Sequence, residues 1–189
     1  MNTPSILNRL DQTFSKLGFK RRNATWNREN GRFVDVLDVQ VSKALSAVTM
    51  NVGVMERDVY ARCWARDAEP FVEEPFCTVR ARIGELIDGK DKWWDTQDTN
   101  CAEEIALFAK AHALPFLERM HSLQEMANWL VATGAPSPTN PLPAIYLAVI
   151  RHTLGEQKEA CSVLVGMETK VRGAWRVRVK EVSERLGCV

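Results

Sequence analysis

The run VDVLDVQVSKALSAVTMNVGV, Val34 to Val54, alternates apolar and polar residues over two stretches separated by SKALS. Alternation with period two marks a half-buried strand, and two such stretches joined by a short polar segment make a hairpin. A slip of one residue would turn every side chain over, so the pairing is tightly constrained. Setting Ser42 opposite Ala47 pairs Gln40 with Thr49 and Asp38 with Asn51. It also sets Leu37, Val39 and Val41 opposite Val52, Met50 and Val48. One face is then apolar and the other is a row of hydrogen-bonding groups. Such a hairpin demands an antiparallel sheet packed on one side, with the polar side wet, covered or used for binding.

The same pattern extends in both directions. Upstream, Asn30-Gly31 is a strong hairpin signal. With Glu29 opposite Arg32, Asn23 falls opposite Asp38 and Arg21 opposite Gln40, which widens the polar row to three strands. Downstream, FCTVRARIGEL alternates Val79, Ala81 and Ile83 with Thr78, Arg80 and Arg82 and reads as a fourth strand. The stretch Glu56–Glu74 is open to a partly helical reading around RDVYARCW. Thr3-Pro4 starts a helix with Ile6, Leu7, Leu10, Phe14 and Leu17 on one face, and Gly18 stops it.

From Asn100 onward the spacing is helical, with Asn100 and Glu103 as a cap pair and Pro115 as a break or kink. Ser122 and Glu125 form a capping box, and Gly134–Pro143 is a loop. Helices over Ala144–Leu154 and Glu156–Lys170, the first two forming a helical hairpin, precede a last stripe of Trp175, Val179, Val182 and Leu186. The expected fold class is α+β: an antiparallel sheet of about four strands packed with an N-terminal helix, followed by a C-terminal helical extension. Residues 1–133 are the α+β domain and 134–189 the extension, packed on the same unit.

Composition removes several functions. With 46% hydrophobic and 26% charged residues the chain is globular rather than disordered. A formal net charge of +1 supplies no global attraction to nucleic acid or membranes. The N-terminus lacks a signal-peptide pattern, and the longest apolar run, LPAIYLAVI, is broken by Pro143 and too short to span a bilayer. Five scattered cysteines, Cys63, Cys77, Cys101, Cys161 and Cys188, contain no CxxC and are expected as reduced thiols of a cytoplasmic protein. His112, His121 and His152 have no metal-ligand spacing, and no GxSxG, P-loop or GxGxxG occurs, so no metal and no cofactor is expected.

GFKRRNATWNR after the first helix, then VDVLDVQVSK, VTMNVGV, CTVRARIGELIDGKDKWWD and LPFLERMHSLQEM, resemble an uncharacterised bacterial family, domain of unknown function 4304. The resemblance covers Leu7 to Val131. Its most specific points are Gln40 with Ser42, Asn51 with Gly53, Arg82-Ile83-Gly84 and Trp93-Trp94. It implies an α+β fold and brings no established reaction. Small bacterial domains of this kind often resemble immunity proteins that neutralise toxins, which is an association rather than a physical argument.

The candidate binding face is Arg21, Asn23, Asp38, Gln40, Ser42, Thr49, Asn51 and Arg82. Trp93 and Trp94 are candidate partner anchors, and a straight chain can bury only one of two neighbours. General acid–base chemistry needs a group tuned toward neutral pH, and arginine beside Asp38 pushes the other way, so no catalytic residue is assigned. The basic segment Lys170–Lys180 carries a core stripe with its cations as the solvated face.

The leading expectation is a non-catalytic protein-binding protein, an immunity-type inhibitor whose partner is a toxin or similar protein. The alternative is a small-molecule enzyme or ligand sensor, which predicts a concave pocket around Asp38, Gln40 and Asn51. A nucleic-acid binder using Arg176, Arg178 and Lys180 ranks third, and no membrane partner is expected.

Overall fold

The structure is a computed structural model that describes residues 3–135 and 140–188. Among the described residues six strands form one antiparallel sheet, with β1 (Lys20–Arg22), β2 (Thr25–Asn30), β3 (Phe33–Val41), β4 (Ala47–Glu56) and β5 (Val79–Arg82) side by side in that order. The two-residue β6 (Trp94–Asp95) pairs with Ala47 and Val48 at the start of β4. The expectation of about four strands missed β1 and β6, both too short to show a period.

In the central hairpin the Ser42 N–H donates to the Ala47 carbonyl at 2.8 Å, the pairing that the alternation predicts. The preceding hairpin pairs Asn30 with Phe33 and Thr25 with Asp38, two residues away from the expected register. Its turn is Gly31-Arg32, with Gly31 at φ +59°, so the glycine sits at the first central position, as in a type II′ turn. A slip of two preserves each residue's face, which is why the polar and apolar sides survive it.

The apolar face carries Trp26, Leu37, Val39, Met50 and Val52, all buried. The first helix, α1 (Thr3–Phe14), buries Ile6, Leu10 and Phe14. Phe14 meets Trp26 edge-on at 5.3 Å, and the Trp26 indole N–H donates to Asp11 at 2.8 Å. Burying each such side chain is worth about 1.5–3 kcal/mol.

Two helices, α2 (Arg57–Trp64) and α3 (Ile83–Ile87), interrupt the strands. α3 ends the fourth expected strand at Arg82, so Ile83 opens a helix instead of continuing the alternation. α4 (Cys101–Phe108) runs through a π turn, Ala109–Ala113, into α5 (Leu114–Arg119). Pro115 therefore does not break the helix. The Leu114 N–H bonds back to Ala109, five residues away, and the widened turn makes room for the ring. Asn100 precedes α4 without a side-chain cap bond, whereas Ser122 caps α6 (Leu123–Ala132) by accepting the Glu125 N–H at 3.4 Å.

By compactness the chain forms two units. One comprises the described residues of Met1–Met55 and Pro70–Arg119, and the other those of Glu56–Glu69 and Met120–Val189. This division differs from 1–133 plus 134–189, because RDVYARCW folds as α2 and joins the helical unit. There the Trp64 indole donates to the Tyr146 hydroxyl at 3.2 Å. The remaining helices of this unit are α7 (Leu142–Thr153), α8 (Gln157–Glu168) and α9 (Ala174–Arg185). α7 and α8 form the expected hairpin, turning at Gly155 with φ +85°. The middle of the expected loop Gly134–Pro143 lies outside the described residues.

One sequence expectation is overturned in this unit. Cys161 and Cys188 are joined in a disulfide, with Cα atoms 5.0 Å apart. The chain returns after α9 to the start of α8, where the Gln157 amide also donates to the Leu186 carbonyl at 2.8 Å. A separation of 27 residues gave no sign of that return. Cys63, Cys77 and Cys101 are free and buried. Among the described residues no helix is long and apolar enough to cross a membrane.

Candidate binding cleft

Antiparallel pairing aligns Arg22, Thr25, Asp38, Asn51 and Arg82 as one row across five strands. The Thr25 hydroxyl donates to Asp38 at 2.7 Å and the Asn51 amide donates to the other Asp38 oxygen at 3.3 Å. Gln40 accepts from Asn51 and from Arg82, each at 3.3 Å. The row is a connected network, so its side chains hold one another in place.

Two segments cross this face, and the first of them lines a concavity beside the polar row. The first is the strap from Pro70 to Cys77. The Asn27 amide donates to the Val72 carbonyl at 2.9 Å and its oxygen accepts the Val72 N–H at 2.6 Å. Arg80 grips the buried Glu74 with two bonds, at 2.7 and 2.8 Å. Where the strap ends, Cys77 lies against Gly53. A Cβ on Gly53 would stand 2.7 Å from the Cys77 sulfur, so only glycine fits. Burial pushes the Cys77 thiol well above its usual pKa, which makes it a packing group rather than a nucleophile.

The second segment runs from Asp88 to Trp94. Thr49 donates its hydroxyl to the Lys92 carbonyl at 2.7 Å. A Cβ on Gly84 would fall 2.1 Å from the Lys90 carbonyl oxygen and 2.7 Å from the Lys92 nitrogen, so this glycine lets the segment cross. Asp91 then receives the Arg82 guanidinium at 2.8 Å and the Trp93 indole N–H at 2.9 Å. Those two bonds, the Trp93 one foremost, hold the Asp91 carboxyl below the usual carboxylate range.

Beside the first strap the polar row floors a cleft of about 540 Å³. Its floor is Thr25, Asp38, Gln40 and Asn51, and Phe71, Glu73, Glu74 and Pro75 line it from the strap. Arg22 lies over the Phe71 ring at 4.3 Å and reaches Glu73 at 3.7 Å. Three arginines, Arg22, Arg80 and Arg82, face four carboxylates, Asp38, Glu73, Glu74 and Glu85. A volume of this size is within the range of small-ligand sites.

The sequence-derived candidates divide. Asn23, Asp38, Gln40, Asn51 and Arg82 line the cleft. Arg21 does not. Asn23, at φ +57°, reverses the chain between β1 and β2, so Arg21 pairs with Trp26 and turns to the α1 side, donating to Asn8 at 3.0 Å. Arg22 takes its place. Ser42 closes the central hairpin by accepting the Ala47 N–H at 3.1 Å, and Thr49 is buried as the anchor of the second segment. Of the two tryptophans, Trp94 is buried and donates to Glu104 at 3.0 Å, which leaves it unable to anchor a partner. Trp93 is half-buried beside Arg82. Sequence reasoning missed the strap residues Phe71, Glu73 and Glu74. Their anchors, Asn27 and Arg80, gave no sign in the sequence of bonds to this stretch.

In the helical unit, Arg178 pairs with Glu181 at 2.9 Å and Lys180 with Glu184 at 3.9 Å. Val179 and Val182 are buried, so the basic residues are the outer side of a packed helix.

These features define an α+β domain built on an open antiparallel sheet, with one face packed and the other strapped around a polar cleft. The chain belongs to the family described as Domain of unknown function (DUF4304), which matches residues 10–119. That span ends where the sheet-bearing unit ends and contains the whole cleft. No curated protein and no solved structure matches the chain.

Proposed function

We propose that this chain is a non-catalytic binding protein and that the strapped cleft is where it holds its ligand. The observation that carries this reading is the concavity. The polar row is neither flat nor sealed, because the strap of Phe71, Glu73, Glu74 and Pro75 raises a wall beside Asp38, Gln40 and Asn51. Burying polar side chains in a preset network costs little further ordering when a ligand arrives. Screening a library of small polar compounds by thermal shift tests it. Stabilisation of the natural chain that disappears in Asn51→Ala supports the reading, and stabilisation untouched by that change counts against it.

A narrower version has the ligand as a side chain of a partner protein, which makes the chain an immunity-type inhibitor of a toxin. Family resemblance supports it, and it predicts that a toxin encoded beside the gene is tolerated only when this chain is present. It also carries a cytoplasmic location. The Cys161–Cys188 bond pulls the other way, since disulfides persist in oxidising compartments. Thiol counting on protein taken directly from its host decides between the compartments.

A further inference from the structure

Building on the cleft as a binding site, we infer that the group it receives is a cation, a guanidinium or ammonium seated on Asp38. Each arginine in the cleft already has its own anion. Arg80 is gripped by Glu74, Arg82 by Asp91 at 2.8 Å, and Arg22 by Glu73 at 3.7 Å. Asp38 is different. Its hydrogen-bond partners are two neutral donors, the Thr25 hydroxyl and the Asn51 amide, and among the described residues no cation is in ion-pair contact with it; the Arg80 charge acts on it only from a distance and is held by Glu74. One donor on each oxygen fixes the direction of the carboxylate and leaves lone pairs unfilled, since an ionised carboxylate offers about four acceptor sites.

Glu85, at the same cleft, is a second carboxylate without an ion pair among the described residues; its side chain accepts the Arg82 backbone N–H at 2.8 Å. The unbalanced charge is therefore negative, and it sits in a concavity, where field lines concentrate. An entering anion would face Asp38 and Glu85 and would have to pull an arginine from its carboxylate. An entering cation breaks no ion pair and gives Asp38 the ionic partner it lacks. Asp38 lies at the centre of the row and on the floor of the cleft, with Asn23 also lining it.

Isothermal titration of the full chain at low salt tests this with two probes of similar length, agmatine as the cation and glutarate as the anion. Agmatine is expected to bind and glutarate is not. Replacing Asp38 by Asn, which keeps an acceptor for Thr25, is expected to weaken agmatine by at least about tenfold, the usual scale for losing a charge-assisted hydrogen bond. Glu85→Gln is expected to give a smaller loss in the same direction, and it serves as the test should Asp38→Asn fail to fold. An acetylated Gly-Arg-Gly amide that binds more tightly than agmatine assigns the cation to a protein side chain. Tighter agmatine assigns it to a free molecule, and either outcome supports the inference. Glutarate binding that is lost in Arg82→Gln, with agmatine silent, overturns the cation and leaves the cleft as a binding site. Silence from both probes overturns the cation, and silence from the polar library as well removes the cleft reading with it.

Discussion

The two faces of the sheet are built from the same strands and held by opposite means. On the α1 side, shape and burial do the holding: Phe14 on Trp26, with Leu37, Met50 and Val52 around them. Asp35, a charge buried on that side, pairs with Arg28 at 2.8 Å. On the other side, specific hydrogen bonds tie down two crossing segments, and the most central carboxylate, Asp38, has no ion-pair partner among the described residues. A face evolved only for stability would pair that charge or replace it, because an unpaired half-buried carboxylate contributes little to folding. The contrast separates residues that fold the domain from those held ready for a ligand.

Substitutions on each face sharpen or break that separation. Trp26→Ala, on the packed face, is expected to cost the most, about 4 kcal/mol in urea unfolding. Gly84→Ala comes next, at about 3 kcal/mol, because its methyl meets backbone atoms that cannot step aside. It should also change Trp93 fluorescence, since the segment that carries Asp91 must move. Asn27→Ala leaves the Val72 N–H and carbonyl without their buried partner and is expected to cost about 2 kcal/mol, with faster proteolysis within residues 70–76.

Asp38→Asn keeps an acceptor for Thr25 and loses the one for Asn51, so it is expected to cost about 1 kcal/mol. A loss comparable to that of Trp26→Ala would erase the distinction between the faces. The smallest effect is that of pH. Asp91 has a carboxyl held below its usual 3.8 in the folded chain, so its contribution is present above that value and fades as pH falls through the lower folded value. Acid titration of Trp93 fluorescence should show this step, and Asp91→Asn should remove it.

Much of the packed face was legible in the sequence. Alternation placed Leu37, Val39, Met50 and Val52 on one side, and the Ser42–Ala47 register followed from requiring the apolar positions to coincide. The cleft was legible only as a list of polar floor residues. Arg21 was misplaced because the turn at Asn23 depends on a positive φ that the KRRNATW string does not advertise. The strap was invisible because Asn27 reaches Val72 across 45 positions, and no local period encodes such a bond. Gly53 and Gly84 stood out by resemblance alone, and their reason, a second chain segment within a methyl's reach, exists only in three dimensions. Likewise the Cys161–Cys188 bond depends on the return of the chain past α9.

The most direct test of the central claim, that the polar face is a preset cation site, is an amide-detected NMR titration of the full chain with agmatine. The side-chain amides of Asn51 and Gln40 and the backbone amides of Asp38 and Glu73 should shift together and saturably, while those of Trp26 and Leu37 stay still. Shifts confined to other surfaces, or none at these four residues, would contradict it.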